Sequence, residues 1–118
     1  MIKRENRLKK NKHFNFIYKH GKSVKCGNVV LVYTKLNIKP YKVGFSVSNK
    51  IGKSVVRSKV KRRMSEAFRQ IANAKLVDRR YNYIFVAREG IAAKSFFEIK
   101  DMIYSCIKKA GLENAMDN

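Results

Sequence analysis

Side-chain catalysis needs a nucleophile, a base with a partner to orient it, or a metal held by clustered ligands. This chain is poorly supplied with all three. His13 and His20 are seven residues apart, so on a helix they share a face, where an acid–base pair could cleave RNA. No carboxylate lies near them in sequence except Glu5, and a polar residue before Gly21 is ordinary at a helix end. The six acids of residues 78–118 are scattered rather than paired, which disfavours a two-metal carboxylate site. The run Lys50-Ile51-Gly52-Lys53 lacks the glycine spacing of a phosphate loop. Cys26 and Cys106 are 80 residues apart without metal-ligand spacing, so they read as free thiols of a reducing cytosol. A stand-alone ribonuclease built on His13 and His20 is the weaker reading. No catalytic side chain, metal site or bound cofactor is expected in the protein itself.

Binding chemistry is better provided. The chain carries 28 basic and 8 acidic residues, a formal charge of +20. That charge is unevenly placed: residues 1–77 hold a net +19 and residues 78–118 a net +1. Lys3, Arg4, Arg7, Lys9, Lys10 and Lys12 form one cluster; Lys50, Lys53, Arg57, Lys59, Lys61, Arg62, Arg63 and Arg69 form a second, opposed only by Glu66. Solubility alone does not need such one-sidedness, because mixed charges dissolve a protein equally well and repel less. The surface calls for a polyanion. The same two-thirds of the chain holds Phe14, Phe16, Tyr18, Tyr33, Tyr41, Phe45 and Phe68. Cations that track a backbone and rings on which bases stack are the means of holding single-stranded RNA. A membrane surface could also supply the anion, but that usually calls for a cationic amphipathic helix with exposed bulky apolar residues, so nucleic acid is the stronger candidate. No apolar run approaches the roughly 20 residues of a span. The N-terminus is basic but no apolar signal core follows it, so the reading is an intracellular, cytoplasmic protein.

These side chains must be positioned by a folded body. With 45% hydrophobic residues, one Pro and six Gly, the chain is too apolar and too regular for a disordered arm, and 118 residues suffice for one domain. Asn11 is placed to cap a helix from Lys12 to His20 that Gly21 stops, with Phe14, Ile17 and Tyr18 on one face. Ser23 to Cys26 suggests a short edge strand. Asn28 to Lys35 and Tyr41 to Ser48 read as strands joined around Asn37 to Pro40. Gly52 and Ser54 open a helix reaching about Ala74. Its apolar positions Val56, Val60, Met64, Ala67, Phe68 and Ile71 form one stripe. Lys61, Arg62 and Arg69 point away from that stripe, and Arg57 and Arg63 flank it. Asn82 to Arg88 is a further strand. Ser95 and Glu98 match the capping box of a last helix, with Phe96, Ile99, Ile103, Cys106, Ile107 and Ala110 inward and its end before Gly111. The order α-β-β-β-α-β-α describes an α+β sandwich, a small sheet with helices packed on it, as a single RNA-binding domain over residues 1–118.

The segment from Val43 to Arg62 (VGFSVSNKIGKSVVRSKVKR) resembles the signature of the protein subunit of bacterial ribonuclease P. Arg7-Leu8-Lys9-Lys10, then Phe14, then His20-Gly21 are similar to that family's N-terminus, and the likeness runs from about residue 4 to 110. Arg57, Lys61, Arg62 and Glu66 keep the family pattern. Ser58 stands where the family has Asn, and Lys59 and Ser65 where it has Arg. Lys59 keeps the charge but loses the planar fork that grips a phosphate with two bonds.

The resemblance implies a mostly antiparallel sheet with a left-handed βαβ crossover, a hand that general rules disfavour. It implies a division of labour in which an RNA subunit, requiring magnesium, cleaves the 5′ leader from precursor tRNA. The protein binds both that catalytic RNA and the leader, and no DNA partner is implied. By position, Phe14, Tyr18, Leu31, Tyr33, Lys50, Ser54, Arg57 and Ser58 would line a central cleft for the leader. Arg57, Lys59, Lys61, Arg62 and Arg69 would meet the RNA subunit. Phe14, Tyr18 and Tyr33 are accordingly expected in a cleft, and Phe45 and Phe68 in the core. A structural, ribosomal RNA-binding protein is the alternative, sharing charge, size and fold type.

Overall fold

The computed structural model describes residues 2–35 and 41–112. The short helix α1 (Asn11–His20) leads into β1 (Lys22–Cys26) and β2 (Val29–Lys35). Then come β3 (Val43–Ser46), the long helix α2 (Ser54–Asn73), β4 (Tyr81–Ala87) and α3 (Phe96–Lys109), which is the order read from the sequence. The four strands lie in the order β1-β2-β4-β3. The first two pairings are antiparallel, and β3 runs parallel to β4. A parallel neighbour cannot be reached by a tight turn, so the chain crosses over through α2. Consecutive strands β2 and β3 are therefore not partners, because β4 lies between them. The expected connection around Asn37 to Pro40 lies outside the described residues.

The central strands are covered on both sides. On one face, Val29 and Leu31 of β2 and Tyr83, Phe85 and Ala87 of β4 pack with Val60, Met64, Ala67, Phe68 and Ile71 of α2 and with Ile99, Ile103, Cys106 and Ile107 of α3. Rings dominate this core: Phe68 lies 5.4 Å from Phe85 and 5.7 Å from Tyr83, and Phe45 stacks on Phe85 at 5.9 Å. Burial drives the Tyr83 phenol far above its ordinary pKa, and its hydroxyl donates to the Asp78 carbonyl at 2.5 Å. On the other face, Val32 and Ile84 meet Leu8 and Ile17, with Phe14, Val30 and Val86 packed around them.

Helix ends depart in detail from expectation. Asn11 is the first residue of α1 rather than its cap; Lys10 precedes the helix, and its carbonyl accepts from the His13 and Phe14 amides. Ser54 is likewise the first residue of α2, and the Arg57 Nε donates to the Gly52 carbonyl beside that end. The capping box of α3 forms as read: the Glu98 amide donates to Ser95 Oγ at 3.1 Å and the Ser95 amide to Glu98 Oε1 at 2.8 Å. Gly21 ends α1 because of crowding, since a Cβ there would sit 2.5 Å from the Ile17 carbonyl oxygen and 2.9 Å from that of Tyr33.

The two cysteines, distant in sequence, are neighbours. Cys26 opposes Val29 across β1–β2, and Cys106 of α3 sits with its Sγ 3.7 Å from the Val29 carbonyl oxygen. Burial, with the adjacent Cys26 thiol adding to it, pushes the Cys106 thiol up to about 12, so it stays protonated at neutral pH. Among the described residues no helix is long and apolar enough to cross a membrane.

One polar group is poorly served. Thr34 is buried, and its Oγ1 finds no hydrogen-bond partner among the described residues. An unsatisfied buried hydroxyl costs roughly 1–3 kcal/mol, which a methyl of the same shape does not. Thr34→Val is expected to raise stability by about 1 kcal/mol. The check is a higher urea midpoint at unchanged slope; a lower midpoint would show that the hydroxyl is satisfied after all.

Candidate nucleic-acid interface

Backbone pairing builds the groove. The Leu8 amide donates to the Val43 carbonyl at 2.9 Å, and Arg7 bridges to Val43 in parallel fashion. The N-terminal segment therefore runs along the outer edge of β3. On the inner side of that edge, Val43–Ser46 pairs with β4, and α2 returns beside it. Between segment, sheet edge and helix lies a cavity of about 620 Å³. Its walls include Arg7, Lys9 and Phe14 on one side, Gly44 and Phe45 on the floor, and Ser58, Lys61, Arg62, Ser65 and Glu66 on α2. The α2 residues recur at three- and four-residue spacing, so one helical face supplies the whole wall. The apolar stripe of α2 faces the core, leaving this polar, cationic face at the groove.

Gly44 sets how deep the ring sits. A Cβ there would lie 2.6 Å from Phe14 Cζ, 2.8 Å from Phe14 Cε1 and 3.1 Å from Leu8 Cβ. Only glycine lets the Phe14 ring come down onto the strand. Tyr18 continues the row one helical turn later, its ring 6.4 Å from that of Phe14 and 43% exposed. The arrangement offers an aromatic surface beside cations, suited to unpaired bases and their phosphates.

Electrostatics sort the cations. Among the described residues the ion pairs are Arg69 with Glu66 and Arg80 with Asp78. Arg69 grips Glu66 in a two-pronged contact, its Nε donating to Oε1 at 2.9 Å, and the Gln70 amide donates to the same carboxylate. Those bonds, the one from Arg69 foremost, hold the Glu66 carboxyl down at about 2, so it is ionised at neutral pH. Arg69 is therefore already paired with an ionised carboxylate before any RNA arrives. Among the described residues, Lys59, Lys61 and Arg62 have no such carboxylate. Arg57 and Arg63 spend a donor each on the Gly52 and Lys94 carbonyls.

The residues expected to line one cleft divide into separate groups. Phe14, Tyr18 and Ser58 belong to the groove or its rim, together with Lys61 and Arg62, which were expected to face the RNA subunit. Lys50 lies in the turn Asn49–Ile51, with Ser54 at the start of α2 and Arg57 one turn along; none of these lines the cavity. Lys59 is exposed on α2 outside the cavity. Leu31 and Tyr33 require correction. Leu31 is 0% exposed in the core against α2 and α3, so it cannot touch a ligand, and Tyr33 lies on that same face with its ring 6.1 Å from Tyr81. The β2 side chain that meets α1 is Val32. A strand's side chains alternate, so one step in register exchanges the faces. Arg7, Lys9, Gly44 and Ser65 were not singled out for this site; the pattern Val43-Gly44-Phe45, with glycine at an alternating position, was the available signal for a close approach.

Gly44→Ala is expected to lift the Phe14 ring from the groove while sparing the cations. Base–ring stacking contributes about 1–3 kcal/mol per base, so affinity for a short single-stranded RNA should fall several-fold with an unchanged salt slope. Unaltered affinity in a folded variant would remove Phe14 from the interface.

Comparison with known proteins bears on this arrangement. The Ribonuclease P family model matches residues 2–111. The ribonuclease P protein component of Clostridium kluyveri is 42% identical over 107 residues, covering 90% of this chain and 95% of that protein. Its counterpart from Clostridium beijerinckii is 41% identical over 116 residues, covering 92% and 90%. The solved structure of the Staphylococcus aureus RNase P protein superposes with a TM-score of 0.81 at 30% identity, over 92% of this chain and 98% of that one. With a family model spanning nearly the whole sequence, relatives of matching length and a solved fold that coincides, the chain belongs to the ribonuclease P protein component family.

Proposed function

We propose that this protein works as the binding subunit of a cytoplasmic ribonuclease P whose RNA subunit performs the cleavage. The groove takes the single-stranded 5′ leader of precursor tRNA. Its rings stack unpaired bases and Arg7, Lys9, Lys61 and Arg62 meet the phosphates, with no base edge demanded. Lys59, with Lys50 of the preceding turn and the half-buried Arg57 near the start of α2, meets the catalytic RNA. The observation that supports this most directly is the groove itself, where Phe14, lowered onto Gly44, faces Lys61 and Arg62 across an open channel. Neither His13 nor His20 lines that channel. The protein holds no cofactor of its own in this reading, and the magnesium belongs to the RNA.

By holding leader and RNA subunit together, the protein lowers the magnesium needed for cleavage at the mature 5′ end. Protein, a catalytic RNA of this class and precursor tRNA, mixed at low magnesium, should give a single cut that the RNA alone makes only at higher magnesium. An identical magnesium requirement with and without protein defeats the proposal. The cationic wall can be tested separately. Each phosphate contact on a single strand contributes about −0.7 to the slope of log affinity against log salt. Lys61→Ala combined with Arg62→Ala should flatten that slope for leader-bearing substrate by roughly 1.4. A slope equal to that of the unaltered protein would place the phosphates elsewhere.

A further inference from the structure

At the opposite end of α1 a second cavity, of about 530 Å³, opens at the end of the sheet. Its chemistry comes from six side chains: Phe16 and His20 of α1, Lys22 of β1, Tyr33 and Lys35 of β2, and Tyr81 of β4. The sheet register groups four of them. Lys22 opposes Tyr33 across β1–β2, and Lys35 opposes Tyr81 across β2–β4. Opposed residues share a face, and Tyr33 and Lys35 are two apart, so two lysines and two tyrosines alternate on one patch. The tyrosine rings meet edge-on at 6.1 Å. From α1, Phe16 and His20 supply a second ring pair, 4.5 Å between centroids.

Core packing accounts for the inner edges of Tyr33 and Tyr81 but not for the ring of Phe16. Ile17 is the side chain that α1 buries fully, and the adjacent Phe16 is left 50% exposed. Among the described residues lining the cavity, no carboxylate accompanies the lysines. Uncompensated lysines select an anion, and the rings select a flat, polarisable group; the two together describe a nucleobase joined to phosphate. The volume falls in the usual range for a small-molecule site, roughly 300–1,000 Å³.

We propose that this cavity is a second nucleotide site, separate from the groove, that takes one unpaired ribonucleotide. The base stacks on the Phe16–His20 pair at the end of the sheet, and its phosphate sits against Lys22 and Lys35, which share the opposite sheet face with Tyr33 and Tyr81. Helix α1 thus carries two ring pairs at i and i+4, Phe14 with Tyr18 and Phe16 with His20, turned roughly 200° apart and serving sites at its two ends. The inference stands apart from the precursor reading, because it is read on the free protein without catalytic RNA.

The test is a titration of the isotope-labelled full chain with adenosine 5′-monophosphate at low salt, followed by amide chemical shifts. Saturable shifts are expected at Lys22, Tyr81 and Gly111, weakened about fivefold or more by Phe16→Ala, a half-exposed position that a smaller residue does not unfold. Lys22→Gln with Lys35→Gln should weaken binding through the phosphate, giving a second variant that leaves the rings in place. Inorganic phosphate alone should bind much more weakly. If phosphate shifts the same amides equally well and Phe16→Ala changes nothing, the site is an anion patch and the proposal fails. Shifts confined to Gly44 and Arg62, or no saturable shift at all, overturn it as well.

Discussion

The parallel pairing of β3 with β4 is the constraint from which the groove follows. A parallel strand obliges the chain to cross over, and the crossover here is α2, whose apolar stripe must cover the sheet. Once that stripe is buried, the opposite helical faces, rich in Lys and Arg, have nowhere to go but outward along the β3 edge. That edge has backbone groups to spare, and the N-terminal segment uses one through the Leu8 amide. Helix α1 then begins where its Phe14 reaches Gly44. Ring, cation wall and channel are thus consequences of one backbone arrangement, each fixed by a contact that could not be moved alone.

Charge works against this body while the core holds it. A net +19 on the first 77 residues repels itself, and the pairs Arg69–Glu66 and Arg80–Asp78 relieve little of it. Exposed pairs of this kind contribute little to stability. Folding rests instead on the ring-filled core around Phe68, Tyr83 and Phe85, all 0% exposed. A polyanion that neutralises the surface removes repulsion the protein cannot remove itself, so RNA binding and folding favour each other.

Much of the architecture was legible because α2 and α3 repeat their apolar positions over many turns, a signal that survives any local ambiguity. Ser95 and Glu98 announced the start of α3 by a pairing that local geometry alone enforces. Sheet order was not legible. Strand periodicity says which residues alternate, not which strand is the neighbour, and β4, late in sequence, inserts between β2 and β3. The misplacement of Leu31 and Tyr33 has a related cause. In Val29-Val30-Leu31-Val32 every residue is apolar because both faces of β2 are covered, so nothing in the pattern tells one face from the other. The nearness of Cys26 to Cys106, and of Tyr33 to Tyr81, likewise depends on pairings that spacing does not encode.

Helix α1 is the least anchored of the three, with one fully covered side chain, Ile17, where α2 has six buried residues. A fully buried Ile contributes roughly 1.5–3 kcal/mol, a small hold for an element with like charges on both flanks. What compensates is geometry at its ends: Phe14 rests on Gly44, and the turn at Gly21 presses against the Tyr33 carbonyl with no room for a side chain. Both ends of α1 are therefore locked by glycine contacts while its middle is loosely held. The rings that the helix does not bury, Phe16 and Tyr18, are left facing solvent because Ile17 and Phe14 are the side chains of α1 that pack on the sheet beneath. An element fixed at its ends and sparing in its burial is well made to present aromatic surface to RNA, since those rings are withheld from the core without loosening the rest of the fold.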